Sequence, residues 1–288
     1  MIPLAFDFEL AESADHALAL LVDHGDDAKL LAGGHSLIPL LKLRLAAPGV
    51  LIDISRLDDL RFIEDAGDVI RIGALTRHRD LETSGVLAEH VPLLAHVASK
   101  VGDPQVRNRG TIGGSLAHGD AASDLPAAAL ALRATMVIQG SRGRREVPAD
   151  EFFFGFLETA VREDEILVEV RVPKATGCAW SYQKLSRRSQ DYAIVGVAAV
   201  ATPHPGVALV NMSSRPLRAR AVEAAMAAGA AVDDAAAVAA EDTDPMSDHA
   251  ITAAYRSHLA RVLTQRALRE VESGGASLRR TPPARPSE

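Results

Sequence analysis

LLAGGHSLIPLLKLRL at residues 30–45 and RGTIGGSLAHGDAASDLP at residues 109–126 decide the reading of this chain. Each places a Gly-Gly pair between an apolar or β-branched lead-in and a helix start, and each follows the pair with a small hydroxyl residue. Glycine lets the main chain take φ > 0 and approach a ligand with no Cβ in the way. Consecutive free N–H groups then form a concave nest for an anion, and a helix N-terminus beside it adds about half a positive charge. Ser36, Thr111 and Ser115 could each donate a hydroxyl to a phosphate oxygen. A single such pair is usually only a tight turn; His35 alone is more often a surface or supporting histidine than a catalytic one, and Thr111 and Ser115 alone are turn residues. Neither loop is G-x-G-x-x-G, and no G-x-x-x-x-G-K-[ST] loop occurs.

Working outward, ESADHALALLVDHG reads as an amphipathic helix capped by Ser13 and stopped by Gly25. AKLL is a short buried strand running into the first glycine pair, SLIPLLKLRL a helix capped by Ser36, and GVLIDISRL a strand, which makes a βαβ-like pattern. DVIRIGALTRHRDLE is a strand followed by a helix start, and VPLLAHVASKVGD a further helix. After the second loop come a helix, SDLPAAALALRA, and a strand, TMVIQGS; a strand ending at Pro173 closes the region. Beyond Gly177 the composition changes. AWSYQKLS and YAIVGVAAVATPHPGVALVNM read as three antiparallel strands, two of them joined at P-H-P-G. Alanine-rich helices are expected over 217–231 and 251–272. Residues 274–288, rich in Gly, Pro, Ser and Arg, are expected to be disordered. The expected class is α+β, with a first domain at 1–176 (subdomains of about 1–57 and 58–176) and a second at 177–273.

The chain has 288 residues, a net charge of −7 and 48% hydrophobic residues, a soluble balance that disfavours binding to nucleic acid or anionic lipid. No apolar run approaches the roughly 18 residues of a membrane helix. MIPLAFDFELAESAD carries acids where a signal peptide carries Lys or Arg, so a cytoplasmic location is expected. One cysteine, Cys178, cannot form an internal disulfide or supply the ligands of an iron–sulfur cluster. The ten histidines show no metal-site spacing, so any redox group must be organic.

A-G-G-H-S-L-I-P-x-x-K-x-R at residues 32–44 and T-I-G-G-S-L-A-H-G-D-x-x-S-D-L-P at residues 111–126 resemble the FAD-binding subunit of molybdenum hydroxylases, the medium subunits of aerobic carbon monoxide dehydrogenase and its xanthine dehydrogenase-type relatives. E-I-L-x-E-V-R-V-P at 165–173, Y-x-K-L-x-R-R-x-x-D-Y-A at 182–193 and A-Y-R-x-H-L-A-R-V-L-x-x-R-A-L at 254–268 extend the resemblance over nearly the whole chain. It implies a two-subdomain FAD domain of the vanillyl-alcohol oxidase type, followed by a small domain of three antiparallel strands and helices. It also implies that Ala32, Gly33, Gly34, His35 and Ser36 hold the FAD pyrophosphate from one side. Thr111, Ile112, Gly113, Gly114 and Ser115 would approach it from the other. Asp124 matches a contact to the flavin nucleotide, Leu167 a backbone contact on a strand, and Lys184 a lysine beside the flavin ring. Tyr192 matches an aromatic residue near the ring; it either covers one flavin face or packs in a core. Lys184 either favours negative charge on the reduced ring or is a solvated lysine. Ser115 stands where the family commonly has Asn, and Gly119-Asp120-Ala121 where many members read A-D-P or G-D-P.

The resemblance implies an electron-transfer role for non-covalently bound FAD and assigns no general base, nucleophile or metal ligand to this chain. Electrons would come from iron–sulfur clusters in a small subunit, after substrate oxidation at a molybdenum cofactor in a large subunit, and leave to a quinone or NAD. The expected assembly is a dimer of heterotrimers. Two alternatives stand beside it: a stand-alone flavin reductase or dehydrogenase, and a scaffold or maturation protein that kept the fold and lost the flavin.

Overall fold

A computed structural model describes residues 2–276. The chain opens with a three-stranded parallel sheet. Strand Asp7–Leu10 and strand Ala28–Leu31 both pair with the central strand Val50–Asp53. Two βαβ crossovers build it, as parallel pairing requires. Helix Ala14–His24 supplies one crossover. The Ser13 hydroxyl accepts from His16 N at 3.0 Å at its start, and Gly25 at φ 55° ends it. Its Ala17, Leu18 and Leu21 pack on Val50 and Ile52.

A five-stranded antiparallel sheet follows, in the order Ile63–Ala66, Val69–Gly73, Glu165–Pro173, Thr135–Gly140, Gly143–Pro148. The strand at its centre, Glu165–Pro173, is the last of the five in sequence, and it joins the two halves. Its register slips between Leu167 and Glu169. Such a bulge reverses the alternation of faces. Ile166 and Val168 therefore pack with the first sheet and its helix, while Leu167, Val170 and Val172 face the larger core. That core also takes in the helices Pro92–Ser99 and Asp124–Ala131.

The third sheet has four antiparallel strands where three were expected: Trp180–Leu185, Val195–Val200, Gly206–Val210 and a two-residue edge, Leu217–Arg218. The expected helix over 217–231 thus begins only at Arg220 and ends at Ala227. A second short helix, Val232–Ala237, follows. Arg218 is held at the edge by Glu223 and by Asp150, and Ala219 N donates to Val207 O at 2.8 Å. Helix Ala253–Glu272 lays Leu259, Leu263, Ala267 and Val271 on one face of this sheet, against Val195, Val197 and Ala199. The other face, with Ala198, Val200, Ala208 and Val210, meets the fully buried helix Asp124–Ala131. Burial on both faces explains the continuous apolar run VGVAAV. Of the tail expected to be disordered, Gly275 and Ala276 are partly buried, and Ala276 N donates to Trp180 O at 2.8 Å. Residues 277–288 lie outside the described residues.

Candidate functional site

The two glycine loops meet. A methyl group on Gly33 would stand 2.2 Å from the carbonyl oxygen of Arg109 and 2.9 Å from Gly110 Cα, so only glycine permits the contact. Gly34 turns the chain at φ 75°. A cleft of about 1030 Å³ opens beside this junction, between the parallel sheet, the larger core and the first strand of the third sheet. That volume is at the upper end of the roughly 300–1,000 Å³ of small-molecule sites and suits a long ligand. Every residue expected at the site except Ile112 lines it. Ile112 instead is buried in the core, and its N–H is taken by Thr76 O at 3.0 Å.

The loops offer different chemistry. In the first, the N–H groups of Gly33, Gly34, His35 and Ser36 have no protein acceptor among the described residues. Ser36 precedes helix Leu37–Leu43 in the N-cap position, yet its hydroxyl makes no cap bond and stays free. The free N–H groups that a nest requires are thus present at the first loop. The second loop does not form one. Gly113 N donates to Ala74 O at 2.8 Å, Gly114 N to Thr111 Oγ1 at 3.1 Å and Ser115 N to Thr111 O at 3.0 Å. Its donors toward the cleft are hydroxyl groups, not amides. Gly113 is glycine because a Cβ would lie 2.5 Å from Ala74 Cβ, a packing reason rather than a ligand reason. Both helices that start at the loops, Leu37–Leu43 and Ile112–His118, have two turns, so any dipole contribution is small.

At the other end of the cleft Asp124, 5% exposed, begins helix Asp124–Ala131. Lys184 Nζ lies 2.9 Å from its Oδ2 and 3.1 Å from the carbonyl oxygen of Lys100. The Tyr182 hydroxyl donates to Asp124 Oδ1. Burial raises the Asp124 carboxyl above the usual carboxylate range, with Lys184 and Tyr182 pulling the other way. Burial, with Asp124 beside it, pushes the Tyr182 phenol well up. Lys184 is therefore no solvated lysine; its charge is already matched by Asp124. Leu167 is buried against the cleft and Tyr192 is 60% exposed at its wall, so Tyr192 is not a core residue.

Several lining residues escaped the sequence reading. Phe156 and Glu158 come from the hairpin Phe153–Gly155/Glu158–Thr159, whose only signal is an aromatic run broken by glycine, FFFGFLET. His78, in LTRHRD, lies buried beside Gly110 where the loops join.

Residues 4–175 match the family of the FAD binding domain in molybdopterin dehydrogenase, and residues 180–271 match the CO dehydrogenase flavoprotein C-terminal domain. The chain is 42% identical to the carbon monoxide dehydrogenase medium chain of Hydrogenophaga pseudoflava, over 93% of this chain and 97% of that one. It is 38% identical to the 6-hydroxypseudooxynicotine dehydrogenase complex subunit alpha of Paenarthrobacter nicotinovorans, over 93% and 95%. The solved carbon monoxide dehydrogenase of Hydrogenophaga pseudoflava lacking the Mo-pyranopterin moiety superposes with a TM-score of 0.92 at 44% identity, over 96% of this chain and 100% of that one. With two family matches in tandem and relatives aligned almost end to end, the chain belongs to the FAD-binding medium subunits of the carbon monoxide dehydrogenase and xanthine dehydrogenase-type molybdenum hydroxylases.

Proposed function

We propose that this chain holds FAD without a covalent bond and serves as the electron-transfer subunit of a multi-subunit molybdenum hydroxylase. Electrons would arrive from iron–sulfur clusters of a small subunit, after substrate oxidation at the molybdenum cofactor of a large one, and leave to an external acceptor such as a quinone or NAD. The observation that carries the reading is the row of unpartnered N–H groups at Gly33–Ser36, which with the hydroxyl-bearing loop 111–115 lines one cleft of about 1030 Å³, large enough for a dinucleotide. FAD bound there would supply one- and two-electron redox chemistry, and the protein's part is placement and electrostatics.

The amides of Gly33, Gly34, His35 and Ser36 receive phosphate oxygens, and the Ser36, Thr111 and Ser115 hydroxyls complete the cradle. Gly113 and Gly114 keep side chains out of it, and Ala32 and Leu167 wall it. Ile112 acts from beneath, by fixing the loop to Thr76. Asp124 and Lys184 present a matched charge pair toward the ring end, so Lys184 orients rather than adds net positive charge. Tyr192 covers one ring face and stands between the ring and the acceptor. The FAD domain takes in residues 1–176, with subdomains meeting near residue 57, in the manner of vanillyl-alcohol oxidase-type flavoproteins; the second domain runs over 177–273. The working assembly is a dimer of heterotrimers in the cytoplasm. No helix among the described residues is long and apolar enough to cross a membrane.

The test is an absorption spectrum of the purified chain, with acid release of any flavin. Bands near roughly 370 and 450 nm, released as about one FAD per chain, are expected. A colourless protein that also fails to take up added FAD would overturn the reading.

A further inference from the structure

We infer that His78 is a further ligand of the bound dinucleotide, donating its Nε2 hydrogen to a phosphate oxygen where the two glycine loops meet. The inference rests on the FAD reading above and adds a residue that neither glycine motif contains.

His78 begins helix His78–Thr83, and its backbone N–H donates to Gly110 O at 2.9 Å. The residue before it, Arg77, forms a β-bridge with Thr111. The imidazole is thus locked to the start of the second loop. Gly110 is also the neighbour of Gly33 in the first loop, so His78 sits at the point both loops share. A methyl group on Gly110 would lie 2.7 Å from both Cδ2 and Nε2 of His78; only glycine leaves that edge of the ring clear.

The side chain is 4% exposed, lines the cleft, and has no hydrogen-bond partner at either nitrogen among the described residues. Nδ1 is sealed from solvent, and Nε2 is the nitrogen that is not. A sealed donor without an acceptor costs more than a sealed lone pair, as the rarity of orphaned buried N–H groups attests. The proton therefore belongs on Nε2, and the ring offers the cleft a donor. Burial foremost, with His35 and the Arg107 guanidinium nearby, lowers the imidazole pKa to about 4, so it stays neutral at working pH. A neutral donor beside those groups suits an anionic oxygen, and a hydrogen bond to a charged acceptor is about twice as strong as a neutral one.

The experiment titrates FAD into the purified full chain and its His78→Gln, His78→Asn and His78→Leu variants, following flavin fluorescence, with the melting temperature of each flavin-free protein as control. The glutamine amide reaches the place of Nε2, while the asparagine amide reaches only that of Nδ1. Expected is a glutamine variant within about three-fold of the wild-type Kd, with asparagine and leucine weakened about ten-fold or more. Equal weakening of glutamine and asparagine would mean a packing role and overturn the inference. So would unchanged affinity in all three. If leucine prevents folding, the glutamine–asparagine comparison decides alone. A wild-type chain that takes up no FAD overturns the parent reading instead, and this inference falls with it.

Discussion

Lys184, on the first strand of the third sheet, sets its ammonium 2.9 Å from the carboxylate of Asp124, sixty residues earlier in the first turn of a buried helix. Both side chains are at least nine-tenths buried. Removing one partner of such a pair strands a charge in a poorly solvated place, which costs about 3–5 kcal/mol. Lys184→Met is therefore expected to lower stability by about 3 kcal/mol in urea unfolding, and Asp124→Asn by a comparable amount. The double variant should be less destabilised than the sum of the two. Additive losses would show that the two groups do not act as a pair.

Two carboxylates on the central strand Glu165–Pro173 predict the acid limb of stability. Glu165 takes two hydrogen bonds from Arg145, at 2.6 and 2.9 Å, which hold its carboxyl below the usual range against burial. Burial alone would raise Glu169, but Arg71 at 2.6 and 3.0 Å and Arg171 at 2.6 Å outweigh it and hold the group low. A carboxylate with a lowered folded-state pKa contributes stability that is complete above its unfolded value, about 4.3, and is lost as pH falls through the folded value. Glu169→Gln should therefore melt below wild type at pH 6, and the gap should narrow as pH falls through the lowered folded value. A gap of constant size would refute the linkage.

Local signals in the sequence are legible where the structure uses them locally. Ser13 caps and Gly25 stops the first helix as read, and the two glycine loops do border one cleft. What escaped depends on distant partners. The amides of Ile112 and Gly113 look free in TIGGS because their acceptors, Thr76 and Ala74, lie more than thirty residues upstream. Strand Asp7–Leu10 was missed because Phe8 and Leu10 point outward, so no buried alternation marks it. Strand Leu217–Arg218 is two residues long and exists only because the edge at Ala208 and Leu209 receives it. The Y-x-K-L motif marks Lys184, but its partner Asp124 lies on another element, and so the neutralised charge is invisible in the sequence.

Glycine substitutions separate packing from chain freedom. A Cβ at Gly33 would collide at 2.2 Å with backbone, which cannot swing aside as a side chain can. Gly33→Ala should cost about 1–3 kcal/mol and open the loop junction, with loss of FAD uptake. Gly85 begins helix Gly85–His90, and a Cβ there would meet nothing within 4 Å. Gly85→Ala should be neutral or stabilising by up to about 1 kcal/mol, with FAD uptake intact. Thermal melts and flavin content of the two variants, measured side by side, check both expectations. Equal behaviour would mean that the close approach of Gly33 to Arg109 is unimportant.

Tyr192 offers the sharpest separation of function from stability. Its side chain is 60% exposed at the cleft wall, so Tyr192→Ala should leave unfolding within about 0.5 kcal/mol of wild type. If the ring covers the flavin, the same change removes a stacking partner. The absorption and fluorescence of bound FAD should then shift, and the rate of electron delivery to an added quinone or to NAD should change. Tyr192→Phe keeps the aromatic face and should behave as wild type in both respects. A Tyr192→Ala protein with wild-type spectrum and acceptor kinetics would place the tyrosine off the flavin, and access to the ring would then have to be set by another wall of the cleft, where Phe156 supplies a second aromatic side chain in the lining.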